Sequence, residues 1–385
     1  MIQTTQHPED RAMGMSGEPV GVVGLGKVGL CVALTLERAG RKVVGVEAAA
    51  ARAQAIAART LVSEEPQVSA RLAEARGIEI APDIATMVGT GCRLVLVVVA
   101  TPSLEDGGYD HSQIDAIVAA LVDLGPSNLP RDLVIISTVM PGYCDQLAAR
   151  LSSSNWRVTY NPAFIALGSV IANLESPEVF LVGASEREAA LRVSALWRSA
   201  WRSEPRIQHL TRIEAELAKI AINSYLTLKV AFANAVGDLA MQMGGAPNAV
   251  LGAIGADSRV GSRCLGYGYG YGGPCLPRDN RALDRAARDH GDAFLIGRAA
   301  DAANAAHLDF QVARALANPG ETPVRIDPAT YKPGTDSVEE SQPLALALRL
   351  AREGRHVTVR DRASVIRLLE ATYGDLLSYE VNEEA

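Results

Sequence analysis

The sequence predicts an α/β protein built on an N-terminal, doubly wound parallel sheet, followed by a long central helix in an all-α middle domain and a reduced α/β C-terminal domain. Three observations carry this reading. A short apolar strand runs directly into Gly24-Leu25-Gly26-Lys27-Val28-Gly29 and then into a helical pattern. Apolar runs of strand length alternate with helical ones to about residue 205, as in a parallel sheet wound by crossover helices. One long helical pattern follows from Arg212 to Met243, interrupted only by Gly237. The chain accordingly divides into a tail (1–17), a Rossmann-type domain (18–205), a central helical domain (206–310) and a last α/β piece (311–385).

The first seventeen residues are polar and lack an apolar segment, so they are read as a flexible tail and not as a secretory signal. Val20-Gly21-Val22-Val23 is the first strand. Gly24 makes the turn after it, Gly26 admits a pyrophosphate, and Gly29 lets helix and strand pack closely. Lys27 and Val28 open the helix, whose N-terminal amides favour phosphate. Residues 42–46 form the next strand, ending in Glu47. An acid there accepts hydrogen bonds from an adenosine ribose and repels a 2'-phosphate. Together these elements indicate a dinucleotide site for NAD rather than NADP, with Arg52 nearby as the one residue that would suit the phosphorylated cofactor.

Further strands are read at 92–99, 133–136, 156–160 and 179–182. Thr101-Pro102 follows the first of these and Ser137-Thr138-Val139 the second. Such positions line the ligand crevice of an open α/β sheet, although a single hydroxyl there serves equally well as a helix cap.

The 212–243 helix is evenly apolar, which predicts burial on more than one side and a natural dimer spine. Lys219 and Asn223 share one face among Leu217, Ile220, Ile222 and Leu226. A structural tie and an oxyanion-holding pair are both open readings. Asn234 is a third polar residue able to reach another element or subunit. Beyond the helix comes Gly270-Tyr271-Gly272-Gly273-Pro274-Cys275-Leu276-Pro277-Arg278-Asp279. Its glycines turn the backbone tightly, Pro277 opens a helix, and a thiol near a helix N-terminus has its thiolate stabilised. An ordinary buried cysteine in a glycine-rich loop is the competing reading. Tyr267, Tyr269 and Tyr271 are read as loop-packing aromatics in preference to base-stacking ones.

A net charge of −7 argues against a nucleic-acid partner, and no run approaches a membrane span in length. The five cysteines (Cys31, Cys92, Cys144, Cys264, Cys275) are scattered without a CxxC pair. That pattern suits a reducing cytoplasm and offers no metal site.

With these motifs in order, the chain resembles the UDP-glucose/GDP-mannose dehydrogenase family from the fingerprint to about Arg360. The resemblance rests on 24–29, Thr101-Pro102, Ser137-Thr138-Val139, Asn161-Pro162-x-Phe164, Lys219-x-x-x-Asn223, Arg259-Val260-Gly261, 270–279 and Tyr331-Lys332-Pro333-Gly334-Thr335-Asp336. It implies an NAD-dependent, two-step oxidation of a primary alcohol, C6 of a nucleotide sugar, to the carboxylic acid by a cytoplasmic homodimer. On that footing Cys275 captures the aldehyde as a thiohemiacetal, which then becomes a thioester, because an aldehyde yields a hydride only after a nucleophile adds. Lys219 and Asn223 would steady the oxyanion, while Asp279 and Thr138 would position the water. Arg259, Phe164, Tyr271 and Gly272 would face the substrate, and 311–385 would be its truncated binding domain.

Departures from the family pattern accompany the matches. Asn-Pro-Glu-Phe-Leu-x-Glu-Gly becomes Asn161-Pro162-Ala163-Phe164-Ile165-Ala166-Leu167-Gly168, without either glutamate. By resemblance, the first of them assists the water that resolves the thioester, and losing such a general base costs about 10²–10⁴-fold. Val179 stands where an arginine often follows Pro177, Glu339 where an arginine is expected before Glu340-Ser341, and Arg278 replaces a lysine. The C-terminal piece yields only strands 324–326 and 356–359, with helices 343–353 and 363–377. Three functions fit: the full oxidation to acid; a single oxidation, or a stall at aldehyde or thioester, on a non-nucleotide substrate; and a non-catalytic NAD-binding sensor or subunit, against which the retained thiol speaks.

Overall fold

Strand β1 (Val20–Val23) is buried at every position, as is β4 (Leu94–Val97), because helices cover both faces of the sheet they form. The structure is a computed structural model describing residues 17–318 and 323–382; the tail expected at 1–17 lies outside these residues except for Gly17. Helix α1 (Lys27–Arg38) follows β1, and β2 (Val43–Val46), α2 (Ala50–Ala57), α3 (Val68–Glu74), β3 (Ile78–Ile80) and α4 (Ile84–Gly89) lead back to β4. Then come α5 (Ser112–Asp123), β5 (Arg131–Ile135), α6 (Tyr143–Arg150), β6 (Trp156–Tyr160) and α7 (Val170–Glu175). Strand β7 (Val179–Ala184), α8 (Arg187–Arg198) and β8 (Arg206–Leu210) complete the sheet.

Its order is β3-β2-β1-β4-β5-β6-β7-β8. The winding reverses between β1 and β4, which puts the crevice of a doubly wound sheet at the turn after β1. One pairing departs from the all-parallel expectation: β6 and β7 run antiparallel, with Tyr160 opposite Gly183. Two strands were not read from the sequence. β3 is three residues long, and β8, Arg-Ile-Gln-His-Leu, is a largely exposed edge without an apolar run. Because β8 pairs with β7 from Arg206 to Leu210, the first sheet extends past the boundary expected at 205.

The chain forms two compact units, one running to Leu104 and resuming at Tyr109–Lys219, the other comprising Glu105–Gly108 and Ile220–Ala385. Helix α9 (Arg212–Gln242) is continuous through that division. Gly237 does not break it: a Cβ there would lie 2.0 Å from the Tyr267 ring, so the glycine trades about 1 kcal/mol of helix propensity for close packing. Burial on more than one side was expected of α9; one stripe, Ile222, Tyr225, Phe232 and Leu239, is 39–60% exposed.

Helices α10 (Pro247–Gly255), α11 (Leu276–Asp289) and α12 (Leu295–Ala317) follow. The last piece holds β9 (Val324–Ile326), α13 (Gln342–Arg352), β10 (Val357–Asp361), α14 (Ala363–Tyr373) and β11 (Ser378–Val381). Two strands were expected here and three are present, in the parallel order β11-β10-β9. The final helix stops at Tyr373, not 377, because Gly374 takes φ +53° and a 3₁₀ turn (Gly374–Leu376) leads into β11.

At the start of β5, wholly buried Asp132 accepts from Arg157 Nε at 2.8 Å and lies 2.8 Å from Arg192 Nε. Removing one partner of such a buried cluster strands the others. Asp132→Ala therefore lowers unfolding free energy by about 3–5 kcal/mol in urea titration. Glu79→Ala, which breaks the exposed Lys42–Glu79 pair, costs under about 1 kcal/mol.

Candidate active site

In the first unit, the turn after β1 is glycine by necessity. Gly24 has φ +88°, and a Cβ there would sit 2.5 Å from Val98 O. At Gly29 a Cβ would lie 1.8 Å from Gly24 O, a collision of backbone with backbone. Gly26 differs, for a Cβ there would meet nothing within 4 Å. The residue that precedes α1 thus leaves open space over the helix N-terminus, where a pyrophosphate is favoured. Lys27 is exposed at the helix start and Val28 packs against the core. Glu47 accepts from Leu25 N and Ala49 N, both at 2.9 Å. Each carboxylate oxygen keeps a lone pair, so the acid shapes the turn and remains able to receive ribose hydroxyls. Arg52 is exposed on α2.

The hydroxyls at the strand ends do not cap helices. Thr101 Oγ1 donates to Thr138 O at 2.7 Å. Ser137 Oγ donates to Val99 O at 2.7 Å and accepts from Val99 N at 2.9 Å. These bonds knit the ends of β4 and β5 into one ledge, with Pro102 exposed and Thr138 half-buried beside it.

The 161–168 segment begins at Asn161, whose Nδ2 donates to Leu181 O at 2.7 Å. It is held at its far end by Glu65, which accepts from Gly168 N and Val170 N at 2.8 Å. Phe164 carries the buried Lys219 ammonium over its ring, 5.8 Å from the centroid, within cation–π range. Ala163 and Val179, two of the departures from the family pattern, line the same crevice of about 30 Å³ with Phe164, Pro177, Trp197 and Trp201. That volume holds about one water, and an apolar lining gives it few polar partners. Leu167 packs against the same core. A third acid escaped the sequence reading: Glu216, wholly buried on α9, accepts from Gly142 N at 2.6 Å and Cys144 N at 2.8 Å. Burial raises its carboxyl pKa against the opposing pull of those bonds.

In the second unit, Cys275 is exposed at the N-cap of α11 with Pro277 in the first turn. Its carbonyl accepts from Asp279 N at 2.9 Å. Asp279 is wholly buried and accepts from Asn223 Nδ2 at 2.6 Å, with Arg278 Nε 3.5 Å away. Asn223 is thus a structural tie to the acid, and its amide retains a second hydrogen to give. Cys31, Cys92 and Cys144 are buried, and burial raises their thiol pKa values, that of Cys31 to about 12. Among exposed cysteines, Cys275 is the one at a helix N-terminus, where a thiolate is stabilised.

Glycines bring the chain to Cys275. Gly272 passes so close to Glu340 O that a Cβ would be 2.2 Å from it, and Gly273 presses on the Tyr331 ring. Tyr331, quoted only as part of a motif, has its phenol pKa raised by burial first and then by Cys275 among nearby negative groups. Tyr271 is buried, its hydroxyl bound to Asp301, so its side chain packs the loop. Tyr267 does the same through Asp238 at 2.7 Å. Asn234 bonds the 268–269 backbone. Arg259 is 87% exposed and pairs with Asp257. Among the described residues no cluster suited to a metal is present, and no helix is long and apolar enough to cross a membrane.

Comparison with known proteins gives a consistent result. Residues 18–201 match a family model described as the NAD binding domain of the UDP-glucose/GDP-mannose dehydrogenase family, and residues 213–306 match that family's central domain. UDP-glucose 6-dehydrogenase of Pseudomonas aeruginosa is 29% identical over 358 residues, covering 88% of this chain and 78% of the relative. That of Rhizobium meliloti is 27% identical, covering 89% and 81%. Among solved structures, a UDP-glucose dehydrogenase from Pyrobaculum islandicum superposes with TM-score 0.85 at 27% identity, covering 95% of this chain and 86% of its own.

The Gly29 geometry makes a sharp test. Gly29→Ala forces apart the turn and α1, and dinucleotide affinity in calorimetry falls by at least about 10²-fold, whereas Gly89→Ala, at a site with open space and no left-handed backbone, leaves it within about twofold.

Proposed function

The chain belongs to the UDP-glucose/GDP-mannose dehydrogenase family, and from that premise we propose that it oxidises C6 of a nucleotide sugar to the carboxylic acid through Cys275. It is an NAD-dependent oxidoreductase acting on a CH–OH group. The open face at Gly26, the glycine-only turn and the receptive Glu47 fit NAD. Bound there, NAD supplies the hydride acceptor.

The single observation that carries the cysteine mechanism is the pairing of an exposed thiol at the α11 N-cap with a buried carboxylate one turn later, itself bonded to Asn223. Cys275, as thiolate, adds to the aldehyde carbon and becomes a thioester once the hydride has left. Lys219 and the second amide hydrogen of Asn223 are the donors for the oxyanion. Asp279 accepts a proton from the water that attacks the thioester. Thr138, on the β4–β5 ledge, assists in holding that water, and Thr101 and Pro102 shape the nicotinamide side. Phe164, Arg259, Tyr271 and Gly272 form the substrate side, the last two through the course of their backbone. The C-terminal sheet is its nucleotide-holding part.

A second reading draws on one observation. Ala163, Leu167 and Val179 leave an apolar surface where the family pattern supplies charge. If Asp279 alone cannot resolve the thioester, the enzyme stops at aldehyde or acyl-enzyme. The homodimer and the cytoplasmic location belong to the same proposal. The exposed apolar stripe Ile222, Tyr225, Phe232 and Leu239 on α9 supports the first, and five cysteines outside any disulfide support the second.

UDP-glucose and related nucleotide sugars yield two NADH per alcohol with free acid, and Cys275→Ala stops after one. One NADH with released aldehyde from the native chain, or a stable acyl mass on Cys275, selects the second reading. Phe232→Glu with Tyr225→Glu converts the dimer to a monomer in light scattering; a native chain that is monomeric at micromolar concentration removes the dimer.

A further inference from the structure

Residues 266–272, which lead into Cys275, are clamped by side chains from α9 and α12 of the same unit. Asn234 Oδ1 accepts from Gly268 N and its Nδ2 donates to Tyr269 O, both at 3.1 Å. Asn304 does the same to Tyr271, accepting from its N–H at 2.9 Å and donating to its carbonyl at 3.0 Å. Beside them His307 is buried, 2% exposed. Its Nδ1 lies 2.8 Å from Asp238 Oδ2 and its Nε2 2.7 Å from Gly268 O.

Hydrogen-bond accounting narrows the state of that ring to two forms. A peptide carbonyl only accepts, and a carboxylate only accepts; Asp238 already takes the Tyr267 hydroxyl on its other oxygen at 2.7 Å. A neutral imidazole donates from one nitrogen. Both contacts at once require a proton on each nitrogen, unless the proton sits on Asp238 instead. The carboxylate form has the better support, because it gives the half-buried Tyr267 hydroxyl an ionised acceptor. Arg314 of α12 also acts on this cluster, its charge opposing that of Asp238 on Tyr267. Gln311 Nε2 shares Gly268 O at 3.2 Å.

We infer that His307 is held as an imidazolium by Asp238, and that this buried ion pair is the positioning device for the loop that presents Cys275. The role in catalysis rests on the reading of Cys275 as nucleophile; the ion pair and the clamp do not. Neither residue touches the reacting atoms. They act through the backbone of Gly268 and the Tyr267 ring, which in turn occupies the space left by Gly237.

The native chain labelled with [¹⁵N]histidine gives one ring signal for each of its six histidines, and His307→Gln assigns the one in question by its loss. Proton correlations on both ring nitrogens near neutral pH are expected. A single protonated nitrogen overturns the ion pair. In His307→Gln, amides of 266–273 exchange at least about tenfold faster while those of the first sheet stay within about twofold. Its kcat falls by about 10²-fold with NAD affinity unchanged, the split expected of misplacement and not of lost binding. Unchanged exchange and unchanged kcat together overturn the positioning role. Asp238→Asn, read the same way, replaces His307→Gln if that variant does not fold. A native chain without turnover on any alcohol sinks the Cys275 reading, while the nitrogen spectrum and the exchange rates still decide the clamp.

Discussion

The 2.6 Å hydrogen bond from Asn223 to Asp279 is the constraint on which the second unit's chemistry depends. Asp279 is wholly buried in the first turn of α11, where a negative charge is favoured by the helix dipole but still needs donors. Asn223 supplies one from α9. The bond therefore fixes how α11 meets the long helix, and with it the direction in which the N-cap thiol is offered. Cutting Asn223 would take a donor from a wholly buried carboxylate, which is costlier than the bond's own net worth.

Asn223 is one member of a line. Glu216, Lys219, Asn223, Thr227, Asn234 and Asp238 recur at intervals of three, four, four, seven and four, which at 100° per residue keeps them on one side of α9. Five of the six are buried. Ile222, Tyr225, Phe232 and Leu239 fall on the opposite side and are exposed. The helix is amphipathic in reverse: its polar face looks inward because those groups carry N-caps, loop backbone and the acid beside the thiol. Its apolar face is left to be covered from outside. An apolar residue count along this segment reads as even burial, since both faces contain Leu, Ile and Val; the period lies in the polar residues. Lys219 and Asn223 were legible as a pair, but Glu216, Thr227 and Asp238 gain meaning only from the partners the fold brings to them.

Local geometry explains what else the sequence made legible. The turn at Gly24, Gly26 and Gly29 is set by contacts within thirty residues and one neighbouring strand, so its pattern is complete in the chain. Cys275 at a helix start is likewise written by Pro277 and the glycines before it. β3, β8 and β11 are different. Each is a short edge strand paired on one side only, and none has an apolar run of its own. Ala163 and Val179 are sixteen positions apart, and only the fold reveals that the two departures share one crevice. A lost acid and a lost base at the same spot read as a joint conversion from polar to apolar, where either alone would read as drift.

That conversion bears on which half of the reaction is at risk. Under the proposed mechanism, hydride departure and thiol addition would draw on groups this chain keeps: an N-cap sulfur, a lysine ammonium over an aromatic face and an amide with a hydrogen to spare. Thioester hydrolysis also needs a water aligned with the acyl carbon. Within the first unit, the crevice of about 30 Å³ at Ala163 and Val179 has apolar walls and offers a water little to bond to. Under the proposed mechanism the burden would pass to Asp279, one oxygen of which accepts from Asn223 while the other lies 3.5 Å from Arg278 Nε. Losing one general base costs about 10²–10⁴-fold, enough to make the last step slowest without touching the first two. On the proposed mechanism, the substitutions that would make this chain a slow hydrolase spare the groups assigned to oxidation, so they bear on the fate of the acyl group and not on the capacity to form it.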